Sequence, residues 1–325
     1  MNALDRLPMR VRSPIPPYVR GWFCVADGDE VKQGEMKAVS FFGDQFVVYR
    51  TPDGVARVAN AFCPHLGAHV ASHDGKIDNG DIVCPFHKWR FAGDTGLCKS
   101  VPYSDAPAGK VGLKVYPTKE LLGLVLMYFD PSDRPADGLP TYDTEEFNLL
   151  DWTKTADKSW VIYAHAQEFV ENIFDPAHLT QLHPTTIMPV YEKLEERDYG
   201  YYIRLGFSEG EQFPVESVEF NFAGLSYSYQ ITKGTGFQVA TIASFTPVDE
   251  ERTLQRVRLY VKKSAHEAFD EIVGQQFSER FIFEVEQDLN VLNYKKHLPT
   301  PKLCVGDGPI YQYRRYAQKF YPVES

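Results

Sequence analysis

The pattern of apolar and polar positions divides the chain into two differently built stretches. From Gly21 to about Tyr116, short alternating runs are broken by turn residues, the signature of strands. Phe46-Val47-Val48-Tyr49 runs into Thr51-Pro52-Asp53-Gly54 and Val55 to Ala59 returns, which predicts a hairpin. Ile82-Val83 leads into a loop and Phe91 to Gly96 supplies another turn, Gly-Asp-Thr-Gly; small all-β clusters of this kind fit a domain of roughly a hundred residues. Leu121 to Phe129 is the longest apolar run, nine residues, and predicts one buried strand; a membrane helix needs about twenty. A Pro- and Asp-rich passage, Asp130 to Pro140, punctuates the chain. Beyond Trp160 the period lengthens. Gln167 to His183 reads as helix, Tyr199 to Lys262 as several alternating strands, and Ala265 to Lys296 as a long helix with Phe281, Val285, Leu289 and Leu292 on one face. Helices flanking a central antiparallel sheet make this second part α+β.

Composition narrows the picture. At 325 residues and 43% hydrophobic, the chain can bury two cores. A formal net charge of −10 argues against a nucleic-acid partner. Five widely spaced cysteines point to a reducing compartment and not to a disulfide scaffold. The first twenty residues carry no apolar signal-peptide core. The expectation is a cytoplasmic protein without stable membrane insertion.

Two short motifs carry metal chemistry: Cys63-Pro64-His65 and Cys84-Pro85-Phe86-His87. Two Cys and two His can hold a tetrahedral zinc, or a [2Fe–2S] cluster with Cys on one iron and His on the other. Zinc fingers usually group Cys with Cys and His with His; here each loop carries one of each, which favours the cluster. The flanks, Cys63-Pro64-His65-Leu66-Gly67 and Cys84-Pro85-Phe86-His87-Lys88-Trp89, resemble the two loops of a Rieske domain.

A second site is suggested by His178 and His183, five residues apart. On a straight helix such positions diverge by about 140°, so both can face one metal only if the backbone bends between them. Asp175 before Pro176 reads as an N-cap with proline at the first helical position, and Pro184 closes the segment. Two imidazoles and one carboxylate make a facial triad for non-haem Fe(II). Asp288 is the candidate carboxylate because it projects from the apolar face of the long helix. Glu284 and Glu286 compete for that role, and a salt-bridged core Asp is the plainer alternative. Asn172 either lies near the metal or bonds backbone.

The cluster loops, with Glu171-Asn172-x-x-Asp175-x-x-His178-x-x-x-x-His183, resemble the α-subunit of Rieske non-haem iron oxygenases over nearly the whole chain. Cys98 to Tyr103, Glu286-Gln287-Asp288 and Gly306 to Tyr316 resemble the 3-ketosteroid 9α-hydroxylase oxygenase components and cholesterol 7-desaturases. The resemblance implies an arm (residues 1–17), an all-β Rieske domain (18–118) and an α+β catalytic domain with a central antiparallel sheet (119–325). It implies a [2Fe–2S] cluster on Cys63, His65, Cys84 and His87, Fe(2+) on His178, His183 and Asp288, and O₂ as co-substrate. Electrons come from a separate NAD(P)H-dependent reductase, directly or through a ferredoxin, since the chain has no Gly-x-Gly-x-x-Gly fingerprint. The family's ring-shaped assembly implies a homotrimer, with Asp175 bridging His178 to His87 of a neighbouring subunit. The implied reaction is monooxygenation of a hydrophobic, steroid-like or polycyclic substrate. Aromatic-ring dioxygenation and O- or N-demethylation are the alternatives within the family, and a Rieske electron carrier is the alternative outside it. Two departures are Lys88, where many relatives have Gly, and Leu66, where many have Arg. Lys76, Lys88, Arg90 and Lys99 are expected to form a basic docking patch for an acidic donor. His69 and His73 read as loop residues, and His165, His266 and His297 as satisfied or solvent-facing. Of the strand aromatics Tyr201, Tyr202, Phe207, Phe220, Phe222, Tyr227, Tyr229 and Phe237, most are expected in the core and some along an apolar pocket.

Overall fold

The computed structural model describes residues 5–105, 110–136, 147–183, 185, 188–207 and 215–322. Its contacts form two compact units. One comprises Trp22–Phe129 with Asp133–Ala136; the other holds Gly21 and the residues before it, Asp130–Ser132 and the C-terminal remainder.

After a short α1 (Met9–Arg12), the strands in chain order are β1 (Gly21–Asp27), β2 (Met36–Phe41), β3 (Asp44–Arg50), β4 (Ala56–Asn60), β5 (Lys76–Asp78), β6 (Asp81–Val83), β7 (Arg90–Ala92), β8 (Cys98–Ser100), β9 (Val115–Tyr116), β10 (Thr118–Leu121) and β11 (Leu124–Phe129). They build three antiparallel sheets, ordered β2-β3-β4-β9, β5-β6-β7-β8 and β1-β11-β10. The β3–β4 hairpin pairs Val48 with Val58, as the turn chemistry predicts. The run Leu121–Phe129 is not one strand. Leu122 (φ +54°) and Gly123 (φ +72°) are both left-handed, the geometry of a two-residue hairpin turn, so Leu121 pairs back onto Leu124. A buried Leu at the turn disguised it in the hydropathy pattern.

The two Cys/His loops share one backbone design. The N–H of Gly67 donates to the Cys63 carbonyl and that of Lys88 to the Cys84 carbonyl. The N–H of Cys63 donates to Ala68 and that of Cys84 to Trp89. Each turn needs a left-handed residue in the same place, Gly67 at φ +75° and Lys88 at φ +58°. The second loop therefore carries a side chain where its twin has none.

The other unit is organised by seven antiparallel strands, β12 (Trp152–Ile162), β13 (Val190–Arg197), β14 (Gly200–Gly206), β15 (Val215–Ala223), β16 (Tyr227–Gly234), β17 (Phe237–Pro247) and β18 (Thr253–Lys262), in the order β12-β18-β17-β16-β15-β14-β13. The predicted helix over Gln167–His183 is two helices, α2 (Ala166–Asn172) and α3 (Pro176–Gln181), followed by α4 (Glu267–Leu292) and α5 (Ile310–Ala317). Pro176 opens α3 behind Asp175, and α3 ends at Leu182, so His183 lies beyond the last helical turn. That exit supplies the bend that the five-residue spacing demands; Pro184 lies outside the described residues. Helix α4 packs on β12, β18 and β17 through Gly274, Ser278, Val285, Leu289 and Leu292.

Helix α2 is held by buried charge. Glu168 meets Lys295 at 2.7 Å and His297 Nδ1 at 2.7 Å. Glu171 meets Lys295 at 3.0 Å and takes Arg314 through both Nε (2.7 Å) and Nη2 (3.1 Å). The arm joins in, because buried Arg12 donates to the carbonyls of Lys295 (3.0 Å) and Tyr163 (2.6 Å). His165 caps α2 by accepting the Gln167 N–H at 3.1 Å, and burial pushes its pKa down to about 4. Burial opposes ionisation of Glu168, yet His297 and Lys295 hold its pKa at about 2.

Two stability predictions follow from these elements. Gly67→Ala should cost about 1 kcal/mol, because no neighbour crowds that site and only the left-handed backbone resists. Lys88→Gly should be neutral or stabilising within about 1 kcal/mol, since the exposed Lys88–Asp74 pair contributes little. Thermal denaturation of the cluster-loaded protein checks both. Acid should act in two stages. His165 is neutral when folded, so the unfolded chain binds its proton first and about 3 kcal/mol is lost as pH falls from 6.5 to about 4. Glu168, depressed from 4.5 to about 2, contributes stability above pH 4.5 that disappears below it. Denaturant titrations across this range should show His165→Asn, which keeps the cap, removing the first stage.

Candidate metal centres

In the larger unit the structure brings His178, His183 and Asp288 together, one donor atom from each lying within 4.8 Å of the others. The two rings stand 5.1 Å apart and 76° to one another. The Nδ1–H of His178 donates to the backbone carbonyl of Asp175 in a short hydrogen bond, leaving Nε2 as a lone-pair donor. His183 uses Nδ1 toward Gln287 Oε1 at 3.2 Å. Its Nε2 lies 3.3 Å from Asp288 Oδ1, but off the line of a hydrogen bond, and that buried oxygen has no hydrogen-bond partner. Burial disfavours charge on His183, yet Asp288 and Gln287 raise its pKa above the ordinary histidine value. Both ring nitrogens thus face oxygens, and a neutral imidazole can serve only one. A cation between Nε2 and Oδ1 resolves the conflict, so the donor set fits a divalent metal held by two imidazoles and a carboxylate.

The competing carboxylates lie elsewhere: Glu284 is tied to Arg280 at 2.8 Å and Glu286 is exposed. Asn172 closes α2, and its carbonyl accepts the Asp175 N–H. The Asp175 side chain makes no capping bond; it lines a groove of about 250 Å³ with Glu171, Lys295, Leu298, Leu303 and Arg314. Gly308 abuts the same turn, and a Cβ there would lie 1.8 Å from the Phe174 carbonyl oxygen and 2.7 Å from Pro176 Cδ. Gln287, Gly308 and Arg314 lie inside motifs visible in the sequence, but spacing alone gave them no role. Only the fold brings each to the ligand turn or to a ligand.

In the smaller unit, Cys63 and Cys84 are buried and unpaired, while His65 and His87 are half-buried above them with ring centroids 4.7 Å apart. Burial pushes the Cys63 thiol up to about 11, opposed by the backbone N–H groups of His65 and Leu66 and reinforced by the Cys84 thiol beside it. Two adjoining inner thiols and two outer imidazoles fit a cluster with an inner Cys iron and an outer His iron. Trp89 stacks on His65 at 4.5 Å and donates its indole N–H to Tyr103 Oη at 2.8 Å. Three of the four cations of the expected basic patch are paired locally. Lys88 pairs with Asp74, Arg90 with Asp78 and Asp81, and Lys99 with Asp81. What surrounds the two histidines is instead apolar: Leu66, Phe86 and Tyr103 are exposed.

Comparison with known proteins agrees with this geometry. Residues 21–117 match the Rieske [2Fe-2S] domain, and residues 127–321 match the 3-Ketosteroid 9alpha-hydroxylase C-terminal domain. The chain is 27% identical to a 3-ketosteroid-9-alpha-monooxygenase oxygenase component of Rhodococcus rhodochrous, over 94% of this chain and 80% of the relative. It is 28% identical to Cholesterol 7-desaturase nvd of Xenopus laevis, over 97% of this chain and 75% of the relative. Among solved structures, Pseudomonas putida CBB5 NdmA with caffeine is similar at TM-score 0.73 and 18% identity, covering 91% of this chain and 89% of the other. Dicamba monooxygenase bound to dicamba is similar at TM-score 0.63 and 17% identity, covering 92% and 96%. Two metal-fitting donor sets on two such units make the chain an oxidoreductase that uses a [2Fe–2S] cluster, iron and O₂, and it belongs to the Rieske non-haem iron oxygenases, in the family with a 3-ketosteroid 9α-hydroxylase C-terminal domain.

Proposed function

We propose that the chain is the terminal oxygenase that hydroxylates a polycyclic, steroid-like substrate, with electrons arriving from a separate reductase. The observation that carries the catalytic assignment is the convergence of His178, His183 and Asp288 with the Asp288 oxygen left unsatisfied. In this reading residues 18–118 carry the cluster on Cys63, His65, Cys84 and His87, and residues 119–325 carry the iron on His178, His183 and Asp288. When bound, these groups supply one-electron transfer and O₂-dependent attack on a C–H bond. The chain's own task is positional. The Asp175 carbonyl and Gln287 Oε1 accept the Nδ1–H groups, which turns both Nε2 lone pairs toward the metal position. The steroid assignment rests on the relatives named for 3-ketosteroids and cholesterol.

We further assign Asp175 to electron passage between subunits of a homotrimer, with Asn172 at the same turn in support. Its carboxylate, free of capping duty and open to a groove, is available to a neighbour's His87. Apolar Leu66 and Phe86 around the cluster histidines suit contact with protein. Five cysteines without a disulfide agree with a cytoplasmic setting. No described helix is long and apolar enough to cross a membrane.

A product screen of steroid and aromatic panels with a surrogate reductase tests the reading. Steroid hydroxylation with about three iron atoms per chain supports it. Oxidation of aromatic compounds alone, or a chain with two irons and no O₂ uptake, refutes it. Asp288→Ala should abolish turnover and remove the mononuclear iron while the cluster's reduced EPR signal survives. Gln287→Leu should weaken Fe(II) affinity by about 10- to 100-fold, measured by chelator competition. Asp175→Asn should keep both metals and the oligomer yet lose nearly all coupled turnover, because the side chain makes no capping bond whose loss would disturb the fold. Near-normal turnover, or a fully active monomer, would rule out the bridge.

A further inference from the structure

The sheet has one face turned toward α4 and the iron ligands, and its side chains can be read from the register. A Cβ on Gly274 of α4 would meet Thr155 Cγ2 at 2.4 Å and Val261 Cγ1 at 3.1 Å, so Val261 faces that helix. Its partner is Val239, and the same face continues along β17 through Thr241, Ala243 and Phe245. Across β16 it carries Thr232, Gln230 and Ser228, and across β15 Val218, Phe220 and Phe222. Phe169 of α2 stacks on Phe245 at 5.5 Å, and Phe174, in the turn between α2 and α3, stands edge-on to Phe222 at 5.8 Å, so the far end of this face is where the iron-ligand helices rest.

Helix α4 covers β12, β18 and β17, and α2 rests on β17. No helix among the described residues makes comparable contact with the middle of β15 and β16, and Phe220 and Gln230 there are only half-buried. On this otherwise apolar strip three polar side chains gather. Gln230 lies directly across from Thr241, and its Nε2 donates to Thr232 Oγ1 at 3.1 Å. Thr241 is 2% exposed and its hydroxyl has no partner. An unsatisfied buried hydroxyl costs about 1–3 kcal/mol. Between this cluster and Phe245 stands the pair Ala243–Ser228, two small side chains. Four residues of strand separate Thr241 from Phe245, roughly 13 Å. A ligand reaching from the Phe245 end of the strip to the cluster is therefore several fused rings long.

We propose that Thr241, with Gln230 and Thr232 beside it, is the polar end of the substrate site: it takes a ketone or hydroxyl oxygen at the end of a polycyclic substrate remote from the carbon that is oxidised, while Phe220, Leu259 and Val218 hold the ring system. The proposal rests on the polycyclic-substrate reading above and adds the second point of recognition that fixes which carbon faces the metal. A ring system bound only by apolar walls can slide or turn end for end; one hydrogen bond at the far end removes that freedom.

The test uses the fully loaded, oxidised protein without reductase, and calorimetry with androstanedione and the two androstanones that each lack one of its ketones. The wild type should bind androstanedione roughly tenfold more tightly than one of the monoketones, the scale of a single hydrogen bond. Thr241→Val should bring that ratio near one, leave the other monoketone's ratio unchanged and not lower the thermal midpoint. Thr241→Ser should restore the preference. Ratios unchanged in Thr241→Val would mean the hydroxyl is satisfied by water, and the subsite fails. Equal weakening of all three ligands, or a lowered midpoint, would assign Thr241 a merely structural role and also overturn it. If the wild type binds none of the three, the polycyclic-substrate reading itself falls and the subsite falls with it.

Discussion

Glu168 and Glu171 sit on one buried face of α2, and two carboxylates so placed are tolerable only because Lys295, Arg314 and the His297 ring meet them. These partners come from separate places: Lys295 and His297 from the chain just beyond α4, Arg314 from α5. Removing one partner of such a set leaves a charge in low dielectric and costs about 3–5 kcal/mol. The consequence is geometric as much as energetic. Helix α2 leads into the turn before His178, and α4 carries Asp288, so one ionic knot ties together the backbones that present two residues of the candidate metal site. The hydroxyls of Tyr313 and Tyr321 add to it by donating to the Gln167 carbonyl and to Gln167 Oε1 at 2.8 and 2.6 Å.

The two candidate metal centres solve the problem of side-chain orientation in different ways. At the mononuclear site each histidine is fixed by what its far nitrogen meets, a main-chain carbonyl for His178 and a side-chain amide for His183. At the cluster site the backbone does the fixing. Both loops close with the same pair of hydrogen bonds around their cysteine, and the histidine sits two residues after Cys63 but three after Cys84. Identical turns with unequal offsets send the imidazoles out at 69° to each other from a common base.

Much of this was legible beforehand. Period-two patterning and turn residues located the β3–β4 hairpin, and the spacing of Val285, Leu289 and Leu292 located the buried face of α4. Asp175-Pro176 announced a new helix, though the break at Ile173–Phe174 before it left no mark. Other features were illegible for physical reasons. The turn at Leu122-Gly123 hides in an apolar run because its leucine is itself buried. The cations near the cluster looked like a patch because the sequence does not reveal that Asp74, Asp78 and Asp81 fold back onto them. Gln230 and Thr241 become neighbours only through the β16–β17 register, which no local pattern encodes.

Gly308 has a mechanical consequence. With the Phe174 carbonyl and Pro176 pressed against its α-carbon, the tail segment acts as a backstop for the turn that precedes His178. A wall on that side makes the turn's fluctuations one-sided, because the backbone cannot move toward the tail segment. The C-terminal segment, far along the chain from His178 and His183, thereby limits how far the turn ahead of the candidate metal site can move.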